Sequence, residues 1–256
     1  MQTNLLDLDF GNSWLVAICL NVVLLAIAFL IPKKLLTTAG YLNAWLLGVI
    51  VWGTLGWRGY TVVMFYFLVG SAATRIGIKQ KEAEGIAEKR SGARGPENVW
   101  GSASTATICA IATLFVEPSI KELLVLAYVA SFSTKLADTS ASEIGKAYGK
   151  RTFLITTLQP VARGTEGAVS LEGTLAGIVA SATISALAWA IGSIDSLGLI
   201  WCIIAAFVAT TIESLIGASL QDKFAWLTNE VVNMINTLIG AIVAILLALV
   251  WKQLFG

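Results

Sequence analysis

The sequence contains no histidine, only three cysteines and few charged residues, 13% of its 256 positions. Each shortage excludes something. Without imidazole there is no serine–histidine hydrolysis, no histidine general base and no histidine-ligated zinc. Cys19, Cys109 and Cys202 stand singly inside apolar runs, with neither the spacing of a metal site nor that of a disulfide framework, and read as buried apolar side chains. Charge at half the level of a soluble domain, set against 57% hydrophobic residues, makes an integral membrane protein the default. A net charge of +1 gives no electrostatic reason to bind nucleic acid. There is no solenoid repeat and no low-complexity tract.

What is present is a series of apolar runs. A bilayer core about 30 Å thick needs roughly 20 apolar residues in helical form. Eight segments qualify as candidates: Trp14–Ile31, Tyr41–Trp57, Tyr60–Thr74, Val99–Val116, Ile120–Ala137, Thr174–Ile191, Leu197–Gly217 and Met234–Trp251. Tyr60–Thr74 is short, and a re-entrant pairing with Tyr41–Trp57 stays open. The expected fold is therefore all-α: one polytopic transmembrane bundle over residues 1–256 with about eight helices. The first 13 residues hold Asp7 and Asp9 but no Lys or Arg, unlike a signal or transit peptide, so the first span is expected to be retained.

Basic residues set the orientation. With the N-terminus outside, fourteen of the seventeen Lys and Arg residues fall on the cytoplasmic side, leaving Arg58, Lys121 and Lys252 outside. Eleven of the sixteen acidic residues share that side. The expected cytoplasmic loops are about 75–98, 138–173 and 218–233, which places any chemistry on the cytoplasmic face. The alternating-charge run Lys79–Arg94 reads as a solvated helix followed by a loop, with a lipid-headgroup surface as the second reading.

Polar residues recur at helical spacing near the inner ends of the spans. Asn98, Ser102, Thr105 and Cys109 share one face, as do Ser131, Lys135, Asp138 and Ser142. Thr210, Glu213, Gly217 and Gln221 form a third stripe; Asn229, Asn233, Asn236 and Gly240, beside Glu230, form a fourth. Small and amide residues also serve plain helix packing, but charge at that depth has to be matched by something. Asp138 and Glu143 lie i, i+5, about 140° apart on one helix. They can reach one ion only if the helix ends or bends between them. Carboxylates without histidine suit Mg²⁺, with Asp138, Glu143 and Glu213 as ligands. A Lys135–Asp138 ion pair that merely neutralises the helix end is the alternative.

The glycine-rich stretch from Arg163 through Gly164, Thr165, Glu166 and Gly167 leads into a span. Glycine lets backbone N–H groups crowd an anion, and arginine binds phosphate bidentately; the same glycines also serve ordinary turns. No Gly-Lys-Ser/Thr is present, so this is not a P-loop. Arg94 and Asn98 supply a second arginine and an amide at the membrane edge. Together these groups suit a magnesium-bound phosphate compound with an apolar partner.

Seven segments then carry a family resemblance over nearly the whole chain: KKLLTTAG (33–40), FLVGSAATR (67–75), GARGPENVWGS (92–102), DTSASEIGK (138–146), RGTEGAVSLEGTLAG (163–177), ESLIGASLQ (213–221) and NEVVNMINT (229–237). They resemble the integral-membrane family, long labelled as of unknown function, that includes the phytyl-phosphate kinases of tocopherol and phylloquinone synthesis. CTP-using dolichol and phytol kinases and phosphatidate cytidylyltransferases are more distant kin. The resemblance implies phosphoryl transfer from a nucleoside triphosphate, CTP favoured over ATP, to phytyl monophosphate. It puts Asp138, Glu143 and Arg163 in the two best-marked motifs, and Glu213 where many relatives carry Asp. Lys135 joins them as a catalytic candidate, with Arg94, Asn98, Gly164, Thr165, Gly167, Gln221, Asn229, Glu230 and Asn233 as candidates for binding nucleotide or acceptor. The implied partners are the nucleotide, the isoprenoid monophosphate, the bilayer and, as an open arrangement, a second copy of the chain. The expected setting is a bacterial, for example cyanobacterial, inner or thylakoid membrane. A cytidylyltransferase, an isoprenoid-alcohol kinase and a non-enzymatic lipid or ion transporter stay open as alternatives.

Overall fold

The structure, a computed structural model, describes residues 12–31 and 34–255. Asp7 and Asp9, on which the leader and N-terminus readings rest, lie outside the described residues, as does Lys33. The eight apolar segments fall on seven helices: α1 (Ser13–Leu30), α2 (Thr38–Arg75), α4 (Pro96–Ala112), α5 (Pro118–Tyr148), α6 (Leu171–Ala190), α7 (Ser196–Ser219) and α8 (Asn229–Phe255). A short helix, α3 (Ile78–Ala83), follows α2. A two-stranded antiparallel ladder, β1 (Thr152–Leu154) with β2 (Ala168–Ser170), precedes α6. Among the described residues five helices, α1, α2, α6, α7 and α8, are long and apolar enough to cross a membrane. Their outward faces carry exposed apolar residues, such as Val22, Val23 and Ile27 on α1 and Leu238, Ile242 and Leu246 on α8. The protein is an all-α integral membrane protein.

The helices begin where side chains satisfy their first free N–H groups. Thr37 Oγ1 accepts from the Gly40 amide at 3.0 Å, Ser170 Oγ from Gly173 at 3.1 Å and Asp195 Oδ1 from Gly198 at 2.6 Å. Pro96 and Pro118 open α4 and α5, where a missing N–H costs no bond. Two apolar segments merge into α2, but Gly56 breaks it with φ 64° and ψ −159°, a conformation essentially restricted to glycine. The chain folds back there. Arg75, at the end of α2, reaches the Lys34 carbonyl just before its start, and Trp52 and Tyr60 stack edge-on across the turn. Both ends of α2 therefore meet the same strand of backbone around Arg94, whose amide and carbonyl pair with Leu35 and Thr37.

Helix α5 occupies the centre. It packs against α2, α4, α6, α7 and α8, and every residue from Leu126 to Ser140 is buried. Its Ala, Ser and Thr residues let neighbours approach closely: α6 lays Gly173 and Gly177 against the backbone at Ala141 and Ala137. Charge is tolerated on α5 because other helices, not lipid, surround it. The structure corrects the sequence reading here. A loop was expected from Asp138, yet α5 runs on for three more turns to Tyr148. The polar residues after Ala137 face other helices and the polar cleft, so loss of hydrophobicity did not mark the end of the helix.

Gly56→Ala tests the fold-back. An alanine at that φ and ψ is expected to cost about 1–3 kcal/mol, read as a lowered thermal midpoint of the detergent-solubilised protein. An unchanged midpoint would contradict the turn.

Candidate functional site

One end of the bundle opens into a polar cleft of about 860 Å³. Its floor is the charged length of α5, and its walls come from the Glu88–Asn98 segment, the β1–β2 region, the end of α7 and the start of α8. All fourteen residues singled out in the sequence line it: Arg94, Asn98, Lys135, Asp138, Glu143, Arg163, Gly164, Thr165, Gly167, Glu213, Gln221, Asn229, Glu230 and Asn233. Residues as far apart as Arg94 and Asn233 meet because α5 and α8 cross beneath the loops.

The floor is built by helical spacing. Lys135, Asp138, Ser142 and Lys146 recur along one side of α5. Lys135 Nζ donates to Asp138 Oδ2 at 2.5 Å and to Asn233 Oδ1 at 2.6 Å, which ties α5 to α8. The ion pair held as the alternative reading of these two residues is thus formed. Glu213 on α7 is an electrostatic neighbour of Asp138, Lys135 and Glu166. Below this cluster Asn236 is fully buried with neither amide atom paired, as are the hydroxyls of Ser131 and Thr134.

Glu143 is placed differently from the expectation. α5 neither ends nor bends between Asp138 and Glu143, so the two carboxylates diverge as the 100° helical step requires. Glu143 instead forms a buried ion pair with Lys81, whose ammonium also donates to the Thr74 carbonyl at 2.9 Å. Among the described residues no three carboxylates or thiols converge into a metal-binding group. Asp138 and Glu213 are the pair left near one another.

The Lys79–Arg94 run is corrected in part. The helix and the loop after it are formed, α3 followed by 84–94, and Lys79, Gln80, Glu82 and Glu84 are exposed; what differs is that Lys81 is wholly buried and that the run is latched to the cleft by ion pairs. Glu84 accepts from Arg163 at 2.7 Å, Glu88 from Lys146 at 3.4 Å, and Arg90 pairs with Glu97. Burial alone would push the Glu88 carboxyl up, but Lys146, Lys135 and Arg94 outweigh it and hold the group below its ordinary value. Glu88, Arg90 and Lys146 of the lining, and Lys81 behind Glu143, were missed. Lys146 was within reach of the sequence, since it continues the face of Lys135 and Asp138 by helical steps, and Arg90 pairs locally with Glu97 and Asn98; Lys81 and Glu88 depend on contacts across 62 and 58 residues.

The glycine-rich stretch forms a turn over the cleft. Gly164 and Gly167 take φ 83° and 73°. At Gly167 a Cβ would lie 2.6 Å from the Ser214 carbonyl oxygen, so only glycine lets this turn press onto α7. Arg163 reaches back to the Ala147 carbonyl at 3.3 Å, which orders the turn against the end of α5. Asn98 accepts from the Gly95 amide at 3.0 Å and from Arg90 at 3.2 Å, and its Nδ2 faces Glu230 at 3.5 Å, closing the ring between α4 and α8. Chemically, the cleft offers cations and amides for phosphate oxygens, a backbone turn able to approach an anion, and carboxylates for a hard cation.

Bundle and cleft together define an integral membrane protein with a charged chamber at one end. The chain belongs to the integral membrane protein family DUF92, whose family model matches residues 21–241; this is the family that the motifs resemble. It is 65% identical to an uncharacterized membrane protein of Synechocystis over 91% of this chain and 90% of the relative. It is 44% identical to the protein VTE6, chloroplastic, of Arabidopsis thaliana over 92% of this chain and 72% of the relative. An uncharacterized membrane protein of Methanocaldococcus jannaschii is 26% identical over 91% and 95%. No solved structure matches the chain.

Two measurements follow from the latch. Lys81→Met leaves Glu143 buried without its partner and is expected to cost about 3–5 kcal/mol, whereas Lys81→Met with Glu143→Leu recovers most of it; equal losses in both variants would deny the pair. The second concerns Glu88. A carboxyl held below its ordinary value stabilises the fold above that value, and the stabilisation disappears as pH falls through the lowered one. The midpoint gap between wild type and Glu88→Gln is therefore expected to be small, because the carboxylate is half-exposed, and to close on acidification. A gap that widens at low pH would contradict the assignment.

Proposed function

We propose that the protein is a membrane-bound phosphotransferase that passes the terminal phosphoryl group of a nucleoside triphosphate, CTP favoured, to an isoprenoid monophosphate, with phytyl monophosphate as acceptor and the diphosphate as product. In the family's context this product serves tocopherol or phylloquinone synthesis. The observation that carries the reading is the gathering of all fourteen candidate site residues around one polar cleft in a membrane bundle. Membership of the family supports it.

Phosphoryl transfer asks for alignment and charge neutralisation more than for a protein nucleophile. The acceptor is already largely dianionic near neutral pH, since its second pKa is about 6. An oxygen of the acceptor monophosphate attacks the terminal phosphorus of the donor. The new P–O bond forms as the bond to the bridging oxygen breaks, and the nucleoside diphosphate leaves with that electron pair. No proton has to be removed first, in keeping with a chain that has no histidine.

Arg163 and the turn Gly164–Gly167, with Thr165, cradle the transferred phosphoryl group. Lys135, oriented by Asp138 and Asn233, offsets the charge that builds between the two anions. Arg94 and Asn98 hold the acceptor phosphate. Gln221, Asn229 and Glu230, on the wall of the cleft, position oxygens of the nucleotide. Mg²⁺ takes oxygen ligands and commonly one or two carboxylates with substrate phosphates; Asp138 and Glu213 fit that demand, and a bound ion would neutralise the donor's phosphates. Glu143, committed to Lys81, does not join them.

The test is a product assay on purified protein with phytyl monophosphate, Mg²⁺ and γ-labelled CTP or ATP. Label is expected in phytyl diphosphate with CDP or ADP released, and Asp138→Asn, which leaves Lys135 without its carboxylate and lowers the thermal midpoint, is expected to abolish turnover at a temperature where the variant is still folded. Release of pyrophosphate would make the protein a nucleotidyltransferase. No consumption of either nucleotide by folded protein would overturn the kinase reading.

A further inference from the structure

Beside the polar cleft lies a second, apolar cavity of about 260 Å³, enclosed by α1, both halves of α2 and the start of α4. Its walls are side chains such as Leu24, Ala44, Val63, Met64 and Phe67. Arg94, Asn98 and Ser102 line both cavity and cleft, so the two spaces meet at those three residues. Along α1 the lining runs from Asn21 to Ile31, about 15 Å at the helical rise. The far end is closed where Tyr60 donates to Asn21 Oδ1 at 2.9 Å, with Gly48 pressed against the same amide. The side is open: Ile27, Ile31 and Leu68 on the rim are about half-exposed, on the face where the bilayer would lie. α1 itself packs chiefly against α2.

Arg94 marks the junction in a further way. Among the described residues Arg90, Lys135, Lys146 and Arg163, the other cations that line the cleft, are each engaged by a carboxylate. Arg94 forms no ion pair among them, although Glu88 lies within its electrostatic reach. Its guanidinium donates to the Tyr66 hydroxyl at 3.1 Å, lying 5.5 Å from the centre of that ring, while its backbone is fixed to Leu35 and Thr37. A guanidinium held in place, turned toward a polar chamber on one side and an apolar one on the other, matches a molecule with a phosphate head and a single hydrocarbon tail.

We propose that this cavity receives the isoprenoid tail of the phosphate acceptor, which enters sideways from the lipid between α1 and α2, with Arg94 taking its monophosphate at the mouth of the cleft. The identity of the acceptor rests on the kinase reading; the tail site rests on the cavity and on Arg94. The volume is slightly below that of ordinary ligand pockets, roughly 300–1,000 Å³, so it suits one chain whose far end stays in lipid rather than the paired chains of a phospholipid.

The experiment is photo-cross-linking of the full chain in lipid nanodiscs with a phytyl monophosphate that carries a diazirine on its tail, alongside kinetics of Ala44→Trp, which fills the cavity. Label is expected on α1 and α2 and is displaced by phytyl monophosphate. The variant is expected to raise KM for phytyl monophosphate by about tenfold or more and to leave KM for a five-carbon prenyl monophosphate unchanged. Label mapping to α6, α7 or α8 while turnover persists would overturn the tail site and leave the kinase reading standing, as would an equal rise in KM for both acceptors. Displaceable label on α1 and α2 without turnover on any monophosphate would sustain the tail site and sink the kinase reading. Equal displacement by a two-chain phosphatidic acid would overturn the tail site.

Discussion

Charge cannot be left bare in a bilayer, and the architecture is arranged around that constraint. α5 carries Lys135, Asp138, Glu143 and Lys146, so it cannot face lipid. It lies inside five other helices, with Leu126 to Ser140 wholly enclosed. Enclosure then requires small side chains at the helix contacts, which explains the Ala, Ser and Thr of α5 and the glycines of α6 opposite it. It also requires that each buried charge find a partner. Lys81 meets Glu143, and Lys135 meets Asp138 and Asn233. The polar cleft forms where the enclosing helices end and the central one continues.

Much of this was legible in the residues. Apolar runs of bilayer length located every long helix, because the lipid-facing surface demands continuous hydrophobicity. The polar stripes pointed to one end of the bundle, and the residues chosen from them line one cavity. Two features were not legible. The end of α5 was hidden because DTSASEIGKAY is as polar as a loop, although it is a helix between other helices and the polar cleft; hydropathy separates lipid from everything else, not helix from loop. The ion pairs of the Lys79–Arg94 run were not legible because its partners, Glu143, Lys146 and Arg163, lie far along the chain. No local pattern separates a solvated charge from one that is paired at a distance.

The cavity beside the cleft has a related origin. α2 folds back at Gly56, so its two halves and α1 stand side by side and leave apolar space at their common boundary. The return of α2 also brings Tyr66 under Arg94. A single glycine in a conformation closed to other residues thus sets the wall of one chamber and the orientation of the cation shared with the next.

The latching carboxylates have a consequence for any polyanion that enters. On the proposed function, Glu84 on Arg163 and Glu88 on Lys146 are the partners that phosphate oxygens would have to displace. Entry is therefore an exchange of one anionic partner for another rather than the capture of an anion by bare cations. Few counterions are released in such an exchange, which makes affinity only weakly sensitive to ionic strength. It also limits how tightly a product can be held: as each phosphate departs, an internal carboxylate stands ready to take its place.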